Sequence, residues 1–184
     1  MPVIYSSSRS TGSSLPAARR SATGGGNGSE KARKGVLPVI DQKFIGKEYS
    51  PTEYEIGREK IKEYARAIGD TNPMYHEKEA GAKSRYADNI AVPNFAAVYN
   101  LMGCAEVFFD PDLKLNMGML VHGEQEFEFH VPAKPGDVMT TTGKIVDIYE
   151  KGNNDFIVYE ARSVNQDGEL VTVGRATFVI RGGN

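Results

Sequence analysis

The sequence predicts an α+β fold in which a strongly curved antiparallel sheet wraps around one long central helix. The first observation is a nearly all-apolar helical stretch from Pro93 to about Phe109, where polar positions such as Asn100 and Glu106 are few. The second is an alternation of polar and apolar residues that begins after Leu120. A helix that is apolar on nearly all sides must be surrounded by protein, so we expect the sheet to enclose it.

Four strands are expected after the central helix. They are residues Glu124 to Val131, Val138 to Tyr149, Asp155 to Val164 and Glu169 to Ile180. Alternation defines the first strand, and the others are rich in Val, Ile, Thr, Phe and Tyr. Turn-forming residues separate them, including Asp167-Gly168, a pair that tolerates positive φ and favours a tight hairpin. We therefore expect an antiparallel meander.

The chain before the central helix predicts an edge strand and an amphipathic helix. A weak strand signal from Lys47 to Ile56 contains Pro51, which suits the edge of a sheet. From Arg58 to Ile68, apolar residues recur at i, i+3, i+4 and i+7, the spacing of one helix face. Residues 70–76 are too polar and proline-broken for regular structure, so we expect a loop that could line a cleft. A short helix from Glu77 to Ser84 should follow.

Composition and charge exclude several classes of protein. The 184 residues are 40% hydrophobic and 25% charged, and no stretch approaches the roughly 20 apolar residues of a membrane span. Cys104 is the only cysteine, which rules out an intramolecular disulfide, makes a thiolate zinc site implausible and suits a reducing cytosol. Residues 36–184 carry seven more acidic than basic side chains, so we expect no nucleic-acid partner.

The chain divides at about residue 35. Residues 1–35 are rich in Ser, Gly and Arg, with too few apolar residues to offset the entropy of ordering, so we expect a disordered tail. Their glycines argue against the amphipathic helix of an organelle transit peptide. Residues 36–184 show no further break in composition and should form one domain.

The loop Gly69-Asp70-Thr71-Asn72-Pro73 resembles the GDxNPxH signature of MaoC-like (R)-specific enoyl-thioester hydratases and dehydratases, which have the hot-dog fold. Segments Asn72 to Glu77, Ala91 to Phe95 and His122 to Phe127 look like the dehydratase-type branch of that family. That branch includes the (3R)-hydroxyacyl-carrier-protein dehydratase subunits of mycolic-acid synthesis. The resemblance covers about residues 38–182. It implies reversible addition of water to a 2-enoyl thioester of coenzyme A or acyl carrier protein, a reaction of fatty acid metabolism.

The resemblance implies that Asp70 is the catalytic base. In the signature the histidine lies five residues after the aspartate, whereas here Tyr75 holds that position and His76 follows it. His76 and Tyr75 are therefore both candidates to hold the reacting water. His76 is preferred, because a phenol with a pKa near 10 shuttles protons poorly at about pH 7. Each catalytic role has an alternative. Asp70 could serve only to accept hydrogen bonds from local backbone N–H groups, and His76 could be an ordinary surface residue.

The remaining candidate residues would bind substrate. Asn94 is the expected N-cap of the central helix, and free N–H groups at Asn94-Phe95-Ala96 could hold the thioester oxygen. Four further residues are expected to bind substrate: Asn72, Pro73, His122 and Gly123. The resemblance also makes His122 a rival to His76, with a backbone hydrogen bond at a strand start as the alternative. His130 is interpreted as structural and Cys104 as a buried, inert thiol. Four more apolar residues are expected in the core, with an acyl tunnel as the alternative: Met102, Phe108, Met117 and Met119.

Three functions are open at this point. The first is a dehydratase or hydratase that needs neither metal nor cofactor, located in the cytoplasm. The second is a non-catalytic, acyl-chain-binding subunit of a heterodimeric dehydratase, which the displaced histidine favours. The third is a hot-dog thioesterase, which the hydratase-like loop disfavours. Hot-dog domains pair so that their two sheets form one continuous sheet. We therefore expect a homodimer or a heterodimer with a second MaoC-like chain.

Overall fold

The computed structural model describes residues 40–182, so the expected disordered tail, residues 1–35, lies outside the described residues. Within 40–182, five antiparallel strands form one sheet in the order β1-β3-β4-β5-β2. The strands are β1 (Glu48–Glu55), β2 (Leu120–Phe129), β3 (Val138–Lys151), β4 (Asn154–Val164) and β5 (Leu170–Ile180). The helices are α1 (Arg58–Ala67), α2 (Pro73–His76), α3 (Lys78–Ala82), α4 (Ala96–Tyr99) and α5 (Ala105–Phe108). The 3₁₀ turns of the same part of the chain are Gln42–Phe44, Pro93–Phe95 and Leu101–Cys104.

The sheet confirms the antiparallel α+β class and corrects the expected strand order. Only β3, β4 and β5 form a meander. β2 pairs with β5, where Phe127 lies opposite Gly174, and β1 pairs with β3. The expected meander of four strands is therefore wrong. Alternation tells which side chains face the core, but it does not tell which strand lies beside which.

The central segment, residues 93–108, is helical but divided into four short pieces. Asn100 and Gly103, both poor helix formers, lie at the division. One side of the segment packs on the sheet, whereas Met102 is 46% exposed and Phe109, just beyond the segment, is 80% exposed. The prediction of a continuous and fully enclosed helix is therefore wrong for the single chain.

The four residues expected in the core divide into two groups. Met102, Met117 and Met119 are 46%, 45% and 41% exposed, so they are not core residues of this chain. Phe108 does pack inside, with its ring edge-on to Phe178 at a centroid distance of 4.8 Å. Cys104 is buried as expected, and burial raises the pKa of its thiol to about 12. The thiol therefore stays protonated at neutral pH and is a poor nucleophile.

A buried row of hydroxyl groups fixes the central segment to the sheet. Thr141, Ser163 and Thr172 are cross-strand neighbours on β3, β4 and β5, and all three are buried. The Tyr99 hydroxyl lies 2.7 Å from Thr172 Oγ1, and Asn100 Nδ2 donates to Ser163 Oγ at 3.0 Å. Because buried polar groups must be hydrogen-bonded, these contacts set the register of the segment on the sheet.

None of the helices between residues 40 and 182 combines the length and hydropathy needed to cross a bilayer. Over the same residues, no group of three or more His, Cys, Asp or Glu side chains forms a candidate metal site.

Candidate functional site

The end of α1 positions Asp70. The helix buries Ile61 and Ala65 against the rest of the protein. Gly69 then reverses the chain with a φ of +75°, a conformation that glycine adopts without strain. The backbone N–H of Asp70 donates to the carbonyl of Ala65 at 2.9 Å. Asp70 is thus held directly past the helix end, where it is half-buried.

The Asp70 side chain starts a short chain of caps. Its Oδ1 accepts from the backbone N–H of Asn72 at 2.9 Å, which is the Asx turn considered as the alternative to catalysis. The Asn72 Oδ1 accepts from Met74 N–H at 3.0 Å and caps α2, and Pro73 occupies the first helical position. Residues 73–76 are therefore a helical turn and not the irregular loop expected, because this cap and proline form a helix-start signal that the polar composition obscured.

The helical turn brings His76 back towards Asp70. His76 Nε2 lies 2.6 Å from the backbone carbonyl oxygen of Asp70. Since a carbonyl oxygen only accepts hydrogen bonds, Nε2 carries the proton in this contact, and Nδ1 of the neutral ring is an acceptor. His76 is half-buried, unlike the surface residue considered as the alternative. The α2 turn thus places the displaced histidine next to the aspartate.

Tyr75 occupies the position at which the signature has its histidine. Its ring is half-buried and packs against the core cluster that contains Phe95 and Ala96. Burial and the nearby charge of Asp70 both raise the pKa of the Tyr75 hydroxyl. The phenol therefore remains protonated at neutral pH and can donate a hydrogen bond but cannot act as a base.

A buried amide that sequence reasoning missed holds α2 in place. Asn89 is 1% exposed, and its Nδ2 donates to the carbonyl oxygens of Met74 at 2.7 Å and Glu77 at 2.8 Å. Its Oδ1 accepts from Arg58 Nη1, and the Arg58 guanidinium also donates to both carboxylate oxygens of Asp88, at 2.8 and 2.9 Å. No local pattern marks Asn89, because its partners lie 12 to 31 residues away.

The start of the central segment differs from the expected N-cap. Val92 is the cap and Asn94 lies exposed inside the 3₁₀ turn, with its carbonyl oxygen accepting from the Tyr64 hydroxyl at 3.1 Å. The N–H of Phe95 donates to the Val92 carbonyl at 2.8 Å, and that of Ala96 donates to carbonyls within the turn. The expected free donors at Phe95 and Ala96 are therefore already used, which corrects the prediction for those two residues.

Tyr64 links the two halves of the site. It lies on α1, before Asp70, and its ring is edge-on to the fully buried Phe95 at 5.2 Å. Its hydroxyl binds the carbonyl oxygen of Asn94. The loop at Asp70 and the start of the central segment therefore pack on the same helix.

His122 and Gly123 lie apart from this group, on β2. The His122 ring is exposed, with Nε2 lying 3.0 Å from the Glu124 carbonyl oxygen. Between residues 40 and 182, no hydrogen bond or ring contact joins His122 to residues 70–76. His130 lies just past the end of β2, with Nε2 3.4 Å from a carboxylate oxygen of Glu128.

Two surface grooves lie on the outer face of the sheet. One has a volume of about 430 Å³ and the other about 330 Å³. Residues of the first are Glu124, Gln125, Glu126, Val158, Arg175 and Thr177. Neither groove is lined by residues 70–76 or 94–96. The grooves therefore do not belong to the site that contains Asp70.

Comparison with known proteins identifies the class of this architecture. The structure resembles an unliganded R-hydratase from Pseudomonas aeruginosa, with a TM-score of 0.60 and 20% identity, covering 76% of this chain and 83% of that one. A (3R)-hydroxyacyl-ACP dehydratase complex from Mycobacterium tuberculosis has a chain with a TM-score of 0.61 and 28% identity, covering 72% of this chain and 92% of that one. The fold is the hot-dog fold of MaoC-like proteins.

The sequence comparisons give the family. The model of the family described as "FAS1-like, dehydratase domain region" matches residues 43–173. A UPF0336 protein from Saccharopolyspora erythraea is 41% identical over 144 residues, which are 78% of this chain and 92% of the relative. The chain belongs to the family of FAS1-like dehydratase domains.

Proposed function

We propose that the protein is an (R)-3-hydroxyacyl-thioester dehydratase, which in the reverse direction hydrates 2-enoyl thioesters of coenzyme A or acyl carrier protein. The observation that carries this proposal is that the α2 turn brings the His76 ring back to the dehydratase-like loop, where Nε2 lies 2.6 Å from the backbone carbonyl oxygen of Asp70. Membership of a dehydratase domain family supports the same reaction class. A cytoplasmic location is part of the proposal, since a chain with one cysteine suits a reducing compartment.

The Asp70 carboxylate and the His76 ring have the acceptors that a reacting water needs. Oδ1 of Asp70 is occupied by Asn72 N–H, so Oδ2 is the atom that takes a proton. In the proposed reaction, the water donates one hydrogen to Asp70 Oδ2 and the other to His76 Nδ1. In hydration, the water oxygen bonds to C3 while Asp70 takes its proton, and the resulting carboxylic acid returns that proton to C2. Dehydration follows the same steps in reverse.

The substrate-binding residues remain predictions within this proposal. Asn72 and Pro73 flank Asp70 on the exposed side of α2, where a thioester headgroup can approach. The N–H of Asn94 is the donor left for the thioester oxygen at the start of the central segment. His122 and Gly123 lie on β2, an edge strand, so their contact with an acyl chain would be made across a subunit interface.

The second candidate function is a subunit that binds the acyl chain while a MaoC-like partner supplies the catalytic groups. Two observations favour it: Tyr75 stands at the signature position of the histidine, and one oxygen of Asp70 already serves the Asx turn. The solved relative from Mycobacterium tuberculosis is itself a complex of a (3R)-hydroxyacyl-ACP dehydratase. In both functions the dehydratase reaction is the same.

Hydration of crotonyl-CoA by the purified chain tests the proposal. Asp70→Asn should lower kcat by about 10²- to 10⁴-fold, the usual effect of removing a general base or acid. The amide oxygen of the substituted side chain can still accept from Asn72 N–H, so the turn should persist. Glu79→Gln on the exposed surface of α3 is the matched control and should retain full activity.

Three results would change the assignment. Equal activity of wild type and Asp70→Asn would refute the catalytic role of Asp70. A wild type that is silent alone but active with a second MaoC-like chain would support the binding subunit. Release of free coenzyme A without hydration would identify a thioesterase.

A further inference from the structure

Arg58 lies at a position where its own helix does not favour it. It is the first residue of α1, and the preceding Gly57 provides no side-chain cap. The partial positive charge at a helix start favours acidic side chains and disfavours an arginine. Within residues 40–182, the hydrogen bonds of the guanidinium all go to Asp88 and Asn89, in the loop that follows α3. A residue that breaks a local rule in this way is expected to serve something outside its own element.

The loop of residues 84–89 has a fixed place against α3. A Cβ atom on Gly81 would lie 2.3 Å from the backbone nitrogen of Asn89, so the two backbones are in direct contact. Ala87 has a φ of +59°, a conformation that residues other than glycine rarely adopt. Strain of this kind persists only where the surrounding structure enforces it. The loop therefore sets the position of Asn89, and the orientation of its amide is what remains to be fixed.

The Asn89 amide supplies a donor that the backbone of α2 lacks. In a continuing helix, the Met74 carbonyl would accept from the N–H of Lys78, four residues later. The chain instead leaves the helix at Glu77, which has a φ of −107° and a ψ of 123°. Asn89 Nδ2 donates to the carbonyl oxygens of Met74 at 2.7 Å and Glu77 at 2.8 Å. The amide thus bridges the junction of α2 and α3.

Arg58 fixes which way this amide faces. A guanidinium can only donate hydrogen bonds, so the atom that faces Arg58 Nη1 is the amide oxygen, Asn89 Oδ1. The opposite orientation would set two donors against each other at Arg58 and two acceptors against each other at α2. Asp88 holds the guanidinium through both carboxylate oxygens, at 2.8 and 2.9 Å. Those hydrogen bonds lower the pKa of Asp88, so it is ionised at neutral pH.

These contacts close a ring that includes both ends of α1. Arg58 begins the helix, and Asp70 lies directly past its other end, about 15 Å away for ten residues. α2 connects the two ends, because Asn89 holds it on one side and His76 Nε2 meets the Asp70 carbonyl oxygen on the other. The helix and the oriented amide together therefore set where the His76 ring lies.

We propose that Arg58 is a positioning residue of the dehydratase reaction, which acts through the Asn89 amide and α2 to hold the His76 ring against the Asp70 loop. The inference rests on the proposed function, because it assigns an effect on the reaction rate to a residue whose hydrogen bonds reach neither His76 nor Asp70. The contact to Asp70 keeps the proton of His76 on Nε2 and leaves Nδ1 to accept from the reacting water. Without Arg58, Asn89 Oδ1 becomes an unpaired buried acceptor, and α2 loses its fixed place.

Arg58→Met tests the inference, because methionine keeps an apolar stem but has no donor. The kcat for hydration of crotonyl-CoA should fall by about 10- to 100-fold with little change in KM, as expected when a reacting group moves by about 1 Å. Arg58→Lys, which lacks the planar fork that serves both partners at once, should have an intermediate kcat. Arg66→Met makes the same change at an exposed arginine of the same helix and should keep the kcat of wild type.

Nitrogen NMR of the His76 ring gives a readout that does not depend on activity. At a pH at which the ring is neutral, wild type should show one tautomer, with the proton on Nε2, whereas Arg58→Met should show a mixture of both. A change that lowered only the global stability of a folded protein would leave this spectrum as in wild type. If Arg58→Met does not fold, Arg58→Lys carries both measurements.

The outcomes separate the inference from the proposed function. A folded Arg58→Met with the kcat of wild type would overturn the inference and leave the proposed function standing, as would a loss of kcat without a change in the His76 spectrum. An equal loss of kcat in Arg66→Met would also overturn it, because the effect would then belong to the charge of α1 in general. If wild type hydrates no substrate, alone or with a MaoC-like partner, but the His76 tautomer changes in Arg58→Met, the proposed function is refuted and the positioning of His76 by Arg58 is retained.

Discussion

Gly174 and Asn100 fit closely against each other. A Cβ atom on Gly174 would lie 2.0 Å from Asn100 Oδ1 and 3.1 Å from a ring carbon of Phe127. The amide cannot turn away, because Nδ2 donates to the carbonyl oxygen of Ala161 at 3.2 Å and to Ser163 Oγ at 3.0 Å. Within residues 40–182, Asn100 Oδ1 is buried and accepts no hydrogen bond, and it occupies the space that a side chain at position 174 would need.

Replacement of Gly174 tests this fit at the residue scale. Gly174→Ala should lower the free energy of unfolding by about 1 to 3 kcal/mol, the usual cost of overpacking. Gly118→Ala, whose Cβ would meet its nearest atom at 3.5 Å, should change stability by no more than about 0.5 kcal/mol. In urea denaturation, adding Asn100→Ala should cost less in the Gly174→Ala background than in wild type. Strict additivity of the two changes would contradict the proposed clash.

At the scale of elements, α2 depends on a residue outside it. The helix is only four residues long and so cannot be stable by itself. Asn72 caps its start, and Asn89 ties down its backbone from a different part of the chain. The contact between His76 and Asp70 therefore depends on Asn89, although Asn89 touches neither residue in the hydrogen bonds that hold α2.

Asn89→Asp tests the hydrogen bonds that this amide donates separately from the one that it accepts. A carboxylate still accepts from Arg58, but it cannot donate to the carbonyl oxygens of Met74 and Glu77. We expect faster hydrogen exchange in residues 73–77 and a loss of about 1 to 3 kcal/mol of stability. Lys83→Ala, on the exposed surface after α3, should alter neither. If hydrogen exchange in residues 73–77 is the same in Asn89→Asp as in wild type, the Asn72 cap alone is enough to hold α2.

For the whole molecule, one clamp joins the sheet edge to the end of the central segment. The Asp110 side chain is 4% exposed and accepts from Lys47 Nζ at 2.7 Å and from the Tyr49 hydroxyl at 2.7 Å. Burial by itself would raise the pKa of Asp110, but the hydrogen bonds from Lys47 and Tyr49 outweigh it and lower the pKa. The ionised form is therefore the stabilising one.

The clamp predicts a pH dependence of global stability. Because the pKa of Asp110 is lower in the folded state, its contribution is present above the unfolded-state value of about 3.9 and is lost as pH falls through the folded value. Asp110→Asn should therefore be less stable than wild type at pH 7, by about 1 to 3 kcal/mol, and the difference should shrink below about pH 4. Urea midpoints across this range measure it, with Asp147→Asn on the exposed surface of β3 as control. A difference independent of pH would contradict the assignment.

Local patterns in the sequence were sufficient to predict much of the fold. The alternation after Leu120, the helix over Arg58–Ala67 and the proline-containing edge strand are each confirmed, because a side chain's preference for core or solvent is expressed within a few residues. The loop with Asp70 was also found from its motif. The α2 turn was missed because the polar composition of residues 70–76 obscured the helix-start signal of Asn72 and Pro73.

The sequence by itself therefore determined the α+β class, the segments that form strands, and the loop that carries Asp70. The tertiary structure alone decided that β2 lies beside β5, that the central segment is broken and covered on one side, and that Asn89 holds α2. The physical reason is the range of the interactions. Periodicity and capping act over one or two turns, whereas strand order and the partners of a buried amide are set by contacts between residues far apart in the chain.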